Sequence, residues 1–311
     1  SAYEYLCSTI KDPLLRQVLS GSFMRMELRE TLPLYVFAQI NDSFIQSAWK
    51  LEGGGDRMVS RMVDSIIAMG GTVRTNAKVT SIKAVSGKVS EVEVNGSETL
   101  KAGWVISDAH PAVTLNLVSD GLRKVYKERI SALDNTFGVF TANICLKPGG
   151  MVCPDGNMFI HREGIDLWHP DPSATESVMV HFYPEAQGSV THLDLLSPMS
   201  FTSGNEDDKY SLSTAGKMVS SKGEPYESTK RWKLRECLDL VSSRLPWLEG
   251  SIESVSTSTP LTYSRYTSTP QGSAFGIRHD WRTPLRTILS PRTPLKNLLF
   301  TGQSLNLHGL L

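Results

Sequence analysis

Between residues 52 and 111 the apolar positions change period several times, and each change marks an element. Met58, Met62 and Ile66 recur every four residues, as do Val59, Val63 and Ile67, which is the spacing of one face of an amphipathic helix. Gly53-Gly54-Gly55-Asp56 ahead of it reads as a tight turn with Asp56 as helix N-cap. Gly70-Gly71 closes it, because glycine takes the left-handed C-cap conformation without a Cβ clash. Val73 and residues 79–82 follow as short strands, then come turns at Ser86-Gly87 and Asn95-Gly96. Asn-Gly between strand runs is a strong hairpin signal, since both turn positions want positive φ. Val92 and Val94 alternate with Glu91 and Glu93, as in a half-exposed ribbon. Trp104-Val105-Ile106 reads as a buried strand that ends in the polar turn Ser107-Asp108-Ala109-His110-Pro111.

The flanking pattern is also mixed. Residues 3–20 read as one or two short helices, with Leu14, Leu15, Val18 and Leu19 on one face and Pro13 in a first turn. The apolar, aromatic run 33–47 is either a buried helix or part of a hydrophobic channel wall. A second amphipathic helix is expected over 111–133, carrying Val113, Leu117, Leu122, Val125 and Ile130. Strands are expected at 139–146, 158–161, 178–183 and 191–196, with Val178, Val180 and Phe182 alternating. Residues 203–226 are polar and rich in Ser, Gly and Lys, the composition of an exposed loop. Leu234, Leu238, Val241 and Leu245 form one stripe of a helix over 232–245 that Pro246 ends, and 252–262 is a further strand. The class is α/β, of the mixed α+β kind, with no internal repeat.

Composition narrows the partners. The chain has 311 residues, with 32 Lys plus Arg balanced by 32 Asp plus Glu, so no nucleic-acid or strongly anionic partner is indicated. No stretch approaches the roughly 20 apolar residues of a membrane span, and no secretory leader pattern is present. Cys7, Cys145, Cys153 and Cys237 are scattered, as expected of reduced thiols in a cytoplasmic protein. His161, His169, His181 and His192 lack ligand spacing, so no metal site is expected. His279-Asp280 stands out as a pair able to orient a ligand or simply to hold a loop. No Ser-His-Asp grouping and no G-x-S-x-G elbow is visible, and no catalytic side chain is assigned. The chain opens at Ser1-Ala2 without a methionine and stops at the apolar Leu310-Leu311, which is expected of a piece of a longer protein.

Two blocks carry a resemblance. "EGGGDRMVSRMVDSIIAMGGTVRTNAKVTSI" with "VSEVEV…AGWVISDAHP", and "STPLTYSRYTSTPQGSAFGIRHDW" with "SPRTPLKNLLFTGQSLNLHG", resemble the FAD-dependent phytoene desaturase and retinol saturase family. The likeness is strongest to its bacterial branch, described as all-trans-retinol 13,14-reductase-like. It implies a partial FAD/NAD(P)-binding Rossmann-like domain over 46–112 and 286–311. A substrate-binding domain with a largely antiparallel sheet flanked by helices is then expected over 1–45 and 113–285. The family's G-x-G-x-x-G turn, which sets the pyrophosphate on helix-terminal amides, is not found in this chain.

By resemblance, FAD is the cofactor. Val79 matches a position whose backbone meets the adenine, and Ser107, Asp108 and Ala109 match a turn close to the dinucleotide. Gly302 and Gln303 match the turn approaching the ribityl and phosphate region, where most of the wider superfamily carries an acidic residue. Gly272 and Ser273 match the loop passing near the isoalloxazine, and Gly53 and Gly54 are counted with the cofactor-side glycines. The implied activity is a saturase or desaturase acting on a polyene such as a retinoid or carotenoid. In such enzymes the flavin carries the redox chemistry and the protein orients the substrate. An apolar slot is then required, with Phe37, Phe44, Trp49, Phe182, Tyr263 and Tyr266 as candidate walls. A flavin amine oxidase, a polyene isomerase and a non-catalytic lipid-binding module are the alternatives. A lipid substrate is compatible with peripheral membrane contact, although no strongly cationic amphipathic helix supports it. Lacking the phosphate turn, the fragment is expected to bind FAD poorly and to be inactive.

Overall fold

The computed structural model describes residues 1–46, 49, 51, 54–149, 154, 156–171, 174–184, 189–200 and 224–307. Helices are α1 (Ala2–Thr9), α2 (Pro13–Ser20), α3 (Leu34–Gln46), α4 (Gly54–Ala68), α5 (Pro111–Leu117), α6 (Lys124–Ser131), α7 (Glu224–Ser242), α8 (Leu248–Ser251), α9 (Pro260–Thr267) and α10 (Pro284–Thr287). Strands are β1 (Val79–Val85), β2 (Lys88–Val94), β3 (Glu98–Lys101), β4 (Val105–Ser107), β5 (Gly138–Leu146), β6 (Met158–His161), β7 (Ser177–Pro184), β8 (Val190–Met199), β9 (Ile252–Ser258) and β10 (Leu298–Phe300). They form two compact units. The first comprises residues 1–34, 133–289 and 302–311, and the second 35–132 and 290–301.

The first unit is built on one antiparallel sheet of order β6-β7-β8-β5-β9. Its register pairs Leu195 of β8 with Ala142 and Val180, and Leu193 with Ile144 and Phe182. Alternate residues therefore share a face. The face holding Phe140, Ile144, Val180, Phe182, Leu193 and Leu195 is wholly buried and packs with Cys237, Val241 and Leu245. Each such side chain contributes about 1.5–3 kcal/mol by leaving water. The expected stripe of α7 is the one that covers this face, although the helix starts at Glu224, eight residues before the expected start at 232. The other face carries Thr141, Asn143, His181, Tyr183 and Asp194 in register. Asp194 accepts from the Tyr183 hydroxyl and the Asn143 amide, both at 2.7 Å. Burial first, and then this carboxylate, raise the Tyr183 pKa and keep the phenol protonated. Phe182 is thus core, not channel wall, because its strand position turns it toward α7.

In the second unit β1, β2 and β3 form an antiparallel ribbon. Its turns have φ of 52° and 75° at Ser86-Gly87 and of 54° and 70° at Asn95-Gly96, as the hairpin reading requires. β4 and β10 make a separate parallel pair, Val105 opposite Leu298 and Ser107 opposite Phe300. Ile82, Val89, Val118, Leu295 and Leu298 form the unit's core, with Val79 and Val105 against it. The buried Asn297 fastens the two sheets. Its oxygen accepts from Val89 N at 2.7 Å and its amide donates to the carbonyls of Val89 and Gly103 at 2.9 Å.

Several sequence expectations shift. Asp56 is not the N-cap of α4 but lies inside its first turn, where a carboxylate favours the helix dipole. Val73 is outside any strand. The helix expected over 111–133 is broken into α5 and α6. Between them Val118 bridges Ile82, Ser119 N donates to Ile82 O at 3.1 Å, and Gly121 turns at φ +84° against Ala84 and Leu295. That attachment to β1 is why residues up to 132 go with the second unit rather than dividing at 112. Residues 302–307 join the first unit, where Leu289 N donates to Leu305 O at 3.0 Å. Gly53, Cys153 and residues 203–223 lie outside the described residues. No helix among the described residues is long and apolar enough to cross a membrane.

Candidate functional site

The loop after α9 is held by backbone in rarely used conformations. Ser268, Gln271, Gly272 and Gly276 have φ of 58°, 55°, 59° and 72°. Ala274 N donates to Phe137 O at 2.8 Å and Phe275 N to the Thr136 hydroxyl at 3.0 Å, so the loop is bonded to the entry of β5. Gly276 sits tight against Ser304. The Gln303 side-chain amide donates to Ala274 O at 3.2 Å. The two expected cofactor-side segments, Gly272-Ser273 and Gly302-Gln303, are therefore joined within one unit. Gly302 itself takes φ +96°, directly after Thr301, whose N–H donates to Ser107 O at 2.9 Å. Ser273 is 6% exposed, and its hydroxyl oxygen has no hydrogen-bond partner among the described residues.

The remaining expected positions are in the second unit. Ser107 ends β4 and shares a 2.7 Å hydrogen bond with Thr114 of α5. Asp108 and Ala109 are exposed, and His110 caps α5 by accepting from Ala112 N at 3.2 Å. Val79 opens β1 opposite Val94, half-buried. Gly54 begins α4 at φ +68° with open space around it. Among the aromatic candidates Phe37 is buried, Tyr263 bonds Thr141 at 2.6 Å, and Trp49 and Tyr266 are exposed. His279 is buried, while Asp280 receives Arg282 N at 2.8 Å and its guanidinium at 2.6 Å, which is a loop-holding role.

Sequence reading missed a cavity of about 580 Å³ in the first unit, bordered by Gln271 beside Gly272. Its apolar walls include Leu28, Phe137, Leu167, Trp168 and Met199, and its charged lining Glu27, Arg29, Glu30, Asp171, Glu176 and Arg278. Ion pairs clip these walls together. Arg278 binds Glu27 through two nitrogens at 2.5 and 2.9 Å, and Glu27 also accepts from Phe137 N at 3.2 Å. Burial opposes the Arg278 charge, yet hydrogen bonding to Glu27 raises its pKa overall. His169 sits between Asp166 at 2.8 Å and Glu30 at 2.9 Å, and hydrogen bonds to Asp166 and then Glu30 raise its pKa. Glu27 and Arg278 are 251 residues apart, so no local signal announces them. No group of three His, Cys, Asp or Glu able to hold a metal occurs among the described residues. Cys7, Cys145 and Cys237 are free thiols, and burial pushes Cys237 up to about 11.

No family model matches this chain. Curated proteins named all-trans-retinol 13,14-reductase do match: that of Macaca fascicularis is 24% identical over 336 residues, 96% of this chain and 54% of its own length. Those of Danio rerio and Homo sapiens are 24% and 23% identical, over 95% and 96% of this chain. The chain thus spans about half the length of these relatives. Among solved structures, an oxidoreductase from Methanosarcina mazei superposes with a TM-score of 0.60 at 16% identity, covering 98% of this chain and 63% of that one. A putrescine oxidase variant gives 0.58 at 14% identity, covering 98% and 64%. Cyclohexylamine oxidase from Brevibacterium oxydans gives 0.53 at 11%, covering 98% and 62%. The chain is a distant homologue of the all-trans-retinol 13,14-reductases, carried on the mixed helix-and-sheet fold of these oxidoreductases.

Proposed function

We propose that the whole protein, of which this chain corresponds to about half the length of its relatives, is an FAD-dependent oxidoreductase. Its proposed substrate is an apolar polyene such as a retinoid or carotenoid. The observation carrying this reading is the match to retinol reductases along 96% of the chain. Ser273 supplies the fit to the cofactor: a buried hydroxyl without a partner among the described residues, in a loop whose Gly272 leaves no room for a side chain. Such an oxygen costs about 1–3 kcal/mol unless something bonds it, and a flavin ring edge offers acceptors and a donor. In this reading Gly272 and Ser273 hold the ring side of the cofactor, and Gly302 and Gln303 the ribityl and phosphate side. Ser107, Asp108 and Ala109 flank the dinucleotide, with the Val79 backbone at the adenine. Gln303 supports the ring-side loop through Ala274. When bound, the isoalloxazine supplies hydride transfer and the protein supplies orientation and dryness.

A second reading is an amine oxidase. It draws on the putrescine and cyclohexylamine oxidases among the structural neighbours and on the four carboxylates, against two guanidinium groups, that line the cavity. Purification of the whole protein, followed by its absorbance spectrum and assays with retinol, carotenes and amines, tests both. A stoichiometric flavin spectrum with polyene turnover is the expected result. Colourless, flavin-free whole protein overturns the cofactor, and amine turnover alone overturns the substrate class. The 311-residue chain by itself is expected to retain little or no flavin.

A further inference from the structure

Arg278 lines the cavity of the first unit and gives only part of its guanidinium to the protein. Its Nε and Nη2 donate to Glu27 at 2.5 and 2.9 Å, while Nη1 meets no acceptor among the described residues. A guanidinium holds its N–H donors in one rigid plane, so the Nη1 donors remain for a ligand. Glu27 sets that plane: its side chain is 10% exposed, and it also accepts from Phe137 N at 3.2 Å. The backbone is held as firmly. Arg278 N donates to Asp134 O at 2.8 Å, and Ser273 and Ile277 bridge Gly138 and Asn135. A donor mounted in this way is oriented before any ligand arrives.

The rest of the lining sets what the donors meet. Leu28, Phe137, Leu167, Trp168 and Met199 are walls for a hydrocarbon body. Four carboxylates against two guanidinium groups disfavour a ligand that is itself an anion. We infer that Arg278 anchors a neutral oxygen, a hydroxyl or carbonyl, at the end of an otherwise apolar substrate. Glu27 is the positioning residue that aims the guanidinium. The anchor deepens the polyene reading and rests on it. A polyene ending in oxygen is selected over a hydrocarbon of the same length, because the hydrocarbon covers the Nη1 donors and leaves them unbonded.

Equilibrium binding to the whole protein, with no electron donor or acceptor present, tests it. The probes are all-trans-retinol and the same carbon chain ending in a methyl, a carboxylate or an ammonium group. The alcohol is expected to bind about tenfold or more tightly than the hydrocarbon, the value of one hydrogen bond from a charged donor, and more tightly than the acid or the amine. Glu27→Gln/Arg278→Met removes the guanidinium without stranding a buried charge and should bring alcohol and hydrocarbon within about threefold. Arg278→Lys, which keeps the charge but not the fork, should retain only part of the preference. Equal binding of alcohol and hydrocarbon by the unaltered protein overturns the inference, whether or not the variants fold. So does a double variant that weakens every probe in parallel, since the pair then only holds the wall. Tighter binding of the acid or the amine overturns the neutral oxygen. Flavin content and turnover are measured separately. An alcohol preference in flavin-free protein would defeat the proposed function and leave the anchor, and flavin-loaded protein that turns over both polyenes with equal affinity would do the reverse.

Discussion

A Cβ built on Gly272 would stand 1.9 Å from the carbonyl oxygen of Pro260, at a φ of +59°. The loop therefore lies against the first turn of α9 as closely as backbone can. Gly272→Ala adds a left-handed penalty of about 1–2 kcal/mol to an overpacking cost of about 1–3 kcal/mol. The expected loss is about 3 kcal/mol, read by urea unfolding. Gly54→Ala is the control, since Gly54 has a φ of +68° but open space around it, and only the conformational part, about 1–2 kcal/mol, is expected there. Equal costs at the two positions would show that Pro260 does not constrain the loop.

The Glu27–Arg278 pair predicts an asymmetry. Glu27 is 10% exposed at its side chain and accepts from both Arg278 and the Phe137 amide. Arg278→Ala leaves that carboxylate buried with only the more distant Arg29 at 4.0 Å and is expected to cost about 3 kcal/mol. Arg278→Lys should recover only part, because an ammonium cannot reproduce two parallel guanidinium bonds. Full recovery by lysine in thermal or urea unfolding would mean that charge alone holds the cavity wall.

Lys233 predicts a stability that climbs with alkalinity. It is 2% exposed in α7, and its ammonium donates to the Thr175 hydroxyl at 2.8 Å. Burial lowers its pKa against the weaker influence of Cys237 and Glu236. Because the folded pKa is depressed, the unfolded chain binds more protons between that value and the ordinary lysine value of about 10.4. Stability contributed here is present above the unfolded pKa and lost as pH falls through the folded one. Lys233→Met should be neutral or stabilising at pH 7 and should flatten the rise toward pH 10. Urea unfolding of both proteins at several pH values reads the difference, and parallel profiles would sink it.

His169 runs the other way. Its pKa is raised by Asp166 and Glu30, so its contribution is fully present below the unfolded value of about 6.5 and disappears as pH rises through the folded value. The ring is about half exposed, so solvent screening keeps the gain small, about 1 kcal/mol or less. NMR titration of the imidazole should show a pKa above 6.5 that falls on Glu30→Gln. An unchanged titration in that variant would remove Glu30 from the clip.

What the sequence disclosed follows from how local each cause is. The turns at Ser86-Gly87 and Asn95-Gly96 are legible because positive φ is demanded by adjacent residues. The α7 stripe is legible because 3.6-residue periodicity survives whatever it packs against. The break after Leu117 is set by Val118 bridging to Ile82, 36 residues away, and apolar spacing alone reads through it. Lys233 looks solvated by residue type, yet it is buried with its ammonium on Thr175, 58 residues away. At the candidate site, the glycines were reached by resemblance, whereas the Gln303–Ala274 bond and the Glu27–Arg278 clip join segments that no window contains.

Ser273 separates a structural orphan from a cofactor contact. Its buried hydroxyl oxygen finds no hydrogen-bond partner among the described residues, so removing it relieves a desolvation cost of about 1–3 kcal/mol. In the 311-residue chain Ser273→Ala is therefore expected to leave stability unchanged or to raise it by about 1 kcal/mol. In the whole protein the same substitution should weaken flavin retention about fivefold to tenfold, the value of roughly 1–1.4 kcal/mol for one hydrogen bond. Equilibrium dialysis against FAD reads the second effect and urea unfolding the first. A variant that lowers stability in the short chain would mean the hydroxyl is already bonded within the protein. A variant that leaves flavin affinity unchanged in the whole protein would remove Ser273 from the cofactor site.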